Sequence, residues 1–461
     1  MRARKLLLLL AILTCGAGIE VAHGVRDELS IGPTGCRVLS GRFYGPSFEF
    51  ETAERRAVEP GTAVLVENAF GAVVVSGAGT GELSARLTTR VYAPQRERAR
   101  SFAERVELRL AEVDGKLMVT TNRDSLGRGP RRSPGFETDL ELQVPAGTAV
   151  EVRSHHARVE LSDVGHAVVA ASYEPVSIAR VSGSVELKTR QGEVRVESVG
   201  QELDLVSSHG DVSVADVAGA ARLDVRHGAV RARGVAGLTL KHRYGDLEAS
   251  EIAGDLEVDG VHAGVRAREV SGKTRVETSY AGVRLAAVTG DVRTVTRHGG
   301  LQVELAGGAL SAEVSDGRVQ LEAVNGPLQL VARRSDVRVS GLREGGRVEG
   351  DGNDVELRDF SGALEVRVRL GDIRLYPGGP LEHPLTALSR EGGSVTVELD
   401  LGDGFRLEAE APHGEVRAEL QGFEATVRER GALSGAIGEA STPVSLRAER
   451  GDVLVRERRS R

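Results

Sequence analysis

Tryptophan is absent from the 461 residues, phenylalanine occurs nine times, and aromatic side chains together make up 3% of the chain. A thick globular core normally relies on such large side chains, so Val, Leu and Ala must do the packing here, in thin layers. Cysteine is nearly missing too, with only Cys15 and Cys36 present, which excludes the disulfide frameworks that staple small secreted domains. Outside the first two dozen residues no apolar run approaches membrane-spanning length. Nor does one sign of charge dominate. The formal net charge is -7, with acidic and basic residues intermixed at 28%, and this balance argues against a nucleic-acid footprint or a polybasic membrane patch.

The first residues are of a different kind. Arg2, Arg4 and Lys5 precede the run LLLLLAIL, which is too short to span a bilayer, and small residues follow at Ala22-His23-Gly24. This predicts an export signal over residues 1–24, and with it a location in the periplasm, at the cell surface or outside the cell. Leu13-Thr14-Cys15-Gly16 keeps a lipoprotein reading open. In that reading Cys15 carries the membrane anchor, and membrane attachment is expected only if Cys15 is lipidated. Ordinary cleavage would leave Cys36 as the one cysteine, so that packing and backbone pairing alone hold the fold.

Glycine is what the chain has in quantity, 58 residues of it, and its spacing is regular. Residues 25–60 read as a polar lead or linker. Over 61–148 the alternation in TAVLVENAFGAVVVSG, ELSARLTTRVYA and VELRLAEVDGKLMVTT predicts a small strand-rich segment. Ala99, Phe102, Ala103 and Val106 behind Pro94 predict one short amphipathic helix near 94–107. The basic Gly/Pro stretch at 125–135 reads as a solvated loop.

From residue 149 to 376 a repeat takes over. Apolar anchors recur at Val159, Val176, Val194, Val212, Val230, Leu247, Val265, Val283, Leu301, Val319, Val337, Val355 and Ile373, every interval being 17 or 18 residues. Around each anchor stand an alternating strand, a turn, a second alternating strand and a glycine. Each such unit exposes an inward row of Val, Leu and Ala that it cannot bury alone, and the next unit offers the same row. The expected fold is therefore all-β: a parallel β-solenoid, or β-helix, with coils of 17–18 residues, preceded by the small β-rich segment with its helix. Thirteen coils at strand spacing would make a rod about 60 Å long. A Pro/Gly loop excursion is expected over 377–393, and terminal β coils with a charged tail over 394–461.

The combination of GTAVLVENAFGAVVVSG, a short charged helix, LELQVPAGTAVEVRSHHARVEL and strand repeats ending in VSLRAERGDV resembles a bacterial family of candidate adhesins, exported β-strand-repeat domains whose function is unassigned. The resemblance covers roughly residues 60–461 and lies in the periodic pattern. It implies a solenoid at the cell envelope and brings no catalytic residue with it.

One column of the repeat stands out. Three residues before successive anchors lie His156, Tyr173, Gln191, His209, His227, Tyr244, His262, Tyr280 and His298, and eight of these nine are rings. In a solenoid they would stack along one corner. The functional reading is a metal ladder or binding stripe. The structural reading is a planar side chain wedged under the tight Gly turn that follows, as at His209-Gly210 or Tyr244-Gly245. Because Tyr interrupts the imidazoles and no cysteine or fixed carboxylate accompanies them, the structural reading is favoured.

The remaining motifs point the same way. Gly-Asp pairs at Gly210-Asp211, Gly245-Asp246, Gly254-Asp255, Gly290-Asp291, Gly371-Asp372 and Gly451-Asp452 lack the dense nine-residue pattern of calcium β-rolls and read as turn chemistry. Arg450-Gly451-Asp452 spells a cell-attachment tripeptide but occupies the ordinary turn column. A polysaccharide-acting enzyme on a β-helix needs paired carboxylates in a groove, and Asp246 with Asp259 or Glu349 with Asp351 could be nominated only by position. A self-assembling scaffold is the other alternative. The expectation is a non-enzymatic exported solenoid without cofactor, metal or nucleic acid, whose partner class would be a surface polysaccharide or another envelope protein.

Overall fold

A computed structural model describes residues 31–32, 35–36, 46–59, 61–79, 81–126, 134–402, 404–438 and 442–458. The expected export signal with Cys15, most of the polar lead, most of the basic loop and the last tail residues lie outside them.

The unit of the fold is a flat coil of two strands. In the coil over 203–217 the side chains of Leu203, Leu205 and Ser207 in the first strand, and of Val212, Val214 and Val217 in the second, point inward and are buried. Asp204, Ser213 and Asp216 point outward or sit at the rim. Leu203 pairs with Val185 of the preceding coil and with Ala221 of the following one, both in parallel. The same register continues, so that two parallel sheets face each other across one thin apolar layer over a β-solenoid of about 14 turns. Each inward Val or Leu contributes about 1.5–3 kcal/mol relative to exposure. The layer needs no large side chain, which is why the chain manages with so few aromatics.

The second strand of most coils departs from strict alternation. Its first, third and sixth residues are buried; in the strand Leu301–Ala306, for example, Leu301, Val303 and Ala306 face the core. The fifth residue makes this possible by adopting a left-handed backbone: Arg180, Ser198, Asp216, Glu251, Glu269, Ala287, Leu305, Ala323 and Asp359 all have φ between 50° and 62°. That conformation costs about 1–2 kcal/mol for a non-glycine residue. It bends the strand end so that a third apolar side chain turns inward before the corner.

The predicted short helix is present as Arg96–Ala103, with Ala99, Phe102 and Ala103 buried against the sheet. A further turn of helix spans Arg123–Leu126. Stacking extends above residue 149, because the strand Ala63–Ala78 pairs in parallel with Ala149–Ser162 along most of its length. On its other edge Ala63–Ala78 carries Lys116–Thr121 and Gly135–Pro145, also in parallel. The antiparallel strands Glu82–Tyr92 and Ser47–Ala57 then extend the sheet outward.

A matching reversal closes the far end. Leu385–Gly392 and Val395–Leu399 pair not with the segment that follows them but with Pro443–Ala448 and Val453–Glu457. Gly404–Glu410 and Val416–Glu419 lie beyond those strands, on their outer edge. At each end, then, one coil is held between its sequence neighbour and a cap that the chain has already built or has yet to build.

Candidate functional site

The corner joining the first strand to the second carries the ring column. Phe70 stacks on His156 with ring centroids 4.8 Å apart, and His156 on Tyr173 at 4.6 Å. After the gap at Gln191 a second run continues through His209, His227, Tyr244, His262, Tyr280 and His298, with centroid separations of 4.7 to 5.2 Å and planes within 15° of parallel. Strand spacing sets this distance, since one coil delivers one ring. The guanidinium of Arg123 caps the column over Phe70 at 4.7 Å. At the other end the rings give way to charge: His298 Nδ1 lies 3.4 Å from Asp316, which binds Arg334 through two contacts of 2.6 and 2.7 Å. That pairing with Arg334 holds the Asp316 carboxyl below the usual carboxylate range.

Two geometries support the rings. Gly192, Gly210 and Gly228 take positive φ immediately after the ring position, and a Cβ on Gly210 would meet the Gly192 carbonyl oxygen at 2.1 Å. There the wedge under a glycine turn describes the corner. From His262 onward it does not, because His262, Tyr280 and His298 themselves carry the left-handed residue, with φ of 53°, 63° and 53°. Tyr244 at φ 65° and Gly245 at φ 156° mark the change. The sequence column is continuous while the backbone beneath it switches.

The stacking decides what the column can do. Ring faces are occupied by the neighbouring rings, so the faces that would stack on a sugar are already used. Edges remain in solvent: Tyr244 is 51% and Tyr280 58% exposed. Parallel imidazoles nearly 5 Å apart present their ring nitrogens side by side rather than converging on one ion, whereas a metal centre needs ligands directed at a common point. Among the described residues no group of three or more His, Cys, Asp or Glu side chains is arranged to hold a metal.

The acidic residues singled out by the sequence mostly have partners within the fold. Asp211, Asp255, Asp291 and Asp372 each accept, at 2.8 to 3.1 Å, the backbone N–H of the residue 18 or 22 positions on, in the next coil. Asp452 of the Arg-Gly-Asp tripeptide does the same for Glu415 at 2.9 Å. Five of the six Gly-Asp pairs thus cap the neighbouring coil. Asp246 pairs with Arg266 and stands on the opposite sheet from Asp259. Glu349 is held by Arg347 at 2.6 Å and Asp351 by Arg369 at 2.5 Å, so neither nominated carboxylate pair forms a pair.

Open grooves flank the ladder. One, of about 370 Å³, runs beside its middle, floored by Gly264, Gly282 and Gly300 and edged by Arg266, Arg284 and Arg318. The other, of about 570 Å³, lies beside its upper end, where residues 67–69 and 120–124 approach four successive coils. Neither was visible in the column pattern, because each depends on residues from outward rows and, in the second case, on a segment inserted far away in sequence.

The family model described as Toastrack DUF4097, a domain of unknown function, matches residues 95–330. This chain belongs to that family. The Toastrack match takes in the short helix and the whole ladder from His156 to His298, while the interleaved C-terminal coils fall outside it. Among solved structures, a candidate cell adhesion protein from Clostridium sporogenes is similar at 10% identity and a TM-score of 0.14, over 89% of this chain and 100% of its own. Candidate adhesins from Parabacteroides merdae and Parabacteroides distasonis are similar at 9% and 12% identity, with TM-scores of 0.18 and 0.16. The first spans 74% of this chain and 95% of its own, the second 69% and 97%. At these values the likenesses are too slight to bear on function. No curated protein matches the chain.

Proposed function

We propose that this Toastrack chain is an exported, non-enzymatic rod that makes multivalent contacts at the cell envelope, with the ring ladder serving as a structural spine. The observation that carries the reading is the unbroken solenoid. From 149 to 377 the coils stack in parallel on nearly the same inward rows, with local shifts such as that between Arg358 and Phe360, and nothing interrupts the stack to build an enclosed catalytic cleft. Its outward rows are laced by ion pairs such as Arg222 with Glu202 and Arg275 with Glu277. Export rests on the basic and apolar start of the sequence.

Protease shaving of intact cells, followed by fractionation and an immunoblot, tests the location. Loss of the band places the rod on the outer surface and supports adhesion. Protection until the outer membrane is opened would overturn adhesion and leave a periplasmic spacer.

A further inference from the structure

The groove beside the upper end of the ladder is a binding site of definite chemistry, and we infer that it takes a carboxylate-bearing polysaccharide. The inference rests on the envelope reading and names its ligand. Three features of the groove carry it.

The first is a notch between cations. Ala170 is outward-facing in its coil, and its small side chain stands between Arg153 of the coil above and Lys188 of the coil below. Two residues on, the buried Ser172 sits between His155 and Arg190 along the groove wall. Ser172 Oγ lies 3.1 Å from His155 Nδ1, which holds that ring against the groove wall. Where the neighbouring coils carry long side chains, this one supplies a gap.

The second is charge. The chain as a whole is at -7, yet the groove is lined by Arg123, Arg153, Lys188 and Arg190 against Glu67 and Asp124. Arg153 is shared with Glu67 and Glu151, and Lys188 with Glu186. Arg190 is exposed and makes no ion pair among the described residues. A cationic recess on an acidic protein favours an anion, and a guanidinium fork favours a carboxylate.

The third is shape. The lining runs from Thr120 across five coil steps to Val206 and Ser208, about 24 Å at strand spacing. The groove is a long, open furrow rather than an enclosed cavity, a shape that suits a chain laid along it. The half-buried Thr120, Thr121 and Ser208 line the groove, and the exposed Val206 offers a small apolar surface. That mixture suits a sugar chain, with hydroxyls and a carboxylate on one edge and C–H groups on a face. An acidic peptide would offer the carboxylates without the run of hydroxyls.

The test uses the mature chain and polygalacturonate, with dextran as the neutral polymer, dextran sulfate as a polyanion without carboxylates, and free galacturonate as the monomer. Binding is followed by affinity electrophoresis and titration calorimetry. The expected result is binding of polygalacturonate in preference to dextran and dextran sulfate, with little competition by the monomer. Lys188→Gln with Arg190→Gln should weaken it about tenfold or more, two charge-assisted contacts being lost. Ala170→Trp, which fills the notch without removing charge, should weaken it as well, while Arg284→Gln in the other groove should not. Unchanged melting temperatures show that the exposed substitutions leave the rod folded. No binding, equal binding of dextran sulfate, or binding indifferent to the notch variants would overturn the inference. A surface-exposed rod that binds no polygalacturonate refutes the ligand while leaving the envelope reading intact. Groove binding by a rod that shaving finds protected refutes adhesion alone.

Discussion

His242 shows how one residue can depart from the repeat and still fit. It takes an inward position where the coil before has Val225 and the coil after has Gly260. A Cβ on Gly245 would come within 3.0 Å of the ring, so the glycine there leaves room for it. Its Nε2 lies 2.9 Å from the Gly228 carbonyl oxygen, so the ring donates there, and Nδ1 is left buried with no partner. Burial pushes the pKa of His242 below its ordinary value, against the smaller pull of the Gly228 hydrogen bond and of Asp246. A folded pKa below the unfolded one means that the unfolded chain takes up the proton first as pH falls. The contribution of this site to stability is therefore whole above about pH 6.5 and is lost as pH falls below it. His242→Val restores the residue type of the preceding coil and should flatten that part of the pH dependence. Melting temperatures of both proteins between pH 7.5 and 5 measure it, and parallel curves would show that the buried ring is not the cause.

The ladder is the element on which the sequence speaks most clearly and then falls silent. The column from His156 to His298 was legible because one ring per coil falls at a fixed distance from the apolar anchor. Phe70 was not, since residues 79–148 separate it from the coil on which it stacks. Nor were Asp316 and Arg334, which keep the position but change the chemistry from stacking to ion pairing. The 17–18-residue coil could be read from spacing, whereas the number of strands in it and the left-handed fifth residue could not. Arg, Ser, Asp, Glu, Ala and Leu all occupy it, so the conformation is imposed by the inward pull of the sixth side chain and leaves no signature residue. The break at Gln191 provides a test of the spine. Gln191→His should join the two ring runs by adding contacts to Tyr173 and His209, each worth about 0.5–1.5 kcal/mol. Thermal unfolding should shift upward accordingly, and a shift to lower temperature would show that this corner cannot seat a ring.

At the scale of the whole molecule the question is what the ends of so regular a stack do. An open parallel sheet invites strand addition. Here the outer strand at one end, Ser47–Ala57, carries Glu49, Glu51, Glu54, Arg55 and Arg56, and Glu424–Glu429 at the other end is exposed throughout. Charged edges of this kind disfavour pairing with another copy, so the purified chain should appear as single rods in electron micrographs at neutral pH and moderate salt. End-to-end filaments would show that the caps do not protect the edges and would revive the scaffold alternative. The order of the coils at the caps had no counterpart in the sequence. The strands over 443–457 have the same apolar rows as the others, and only the register of Val395 on Val453, with Val416 beyond, reveals that they come next to last.

That interleaving has a consequence in time. A polypeptide is made from its N-terminus onward, so residues 404–419 exist before the strands that will finally support them. Until 443–457 arrive, the coil over 385–399 offers an open edge, and the cap has its eventual partner still missing. The closing coil must then enter between two segments already made, rather than being laid on top of a finished stack. From 166 to 399 each coil can fold onto its predecessor as it appears. At this end completion waits for the last strands, and the rod is sealed by an insertion.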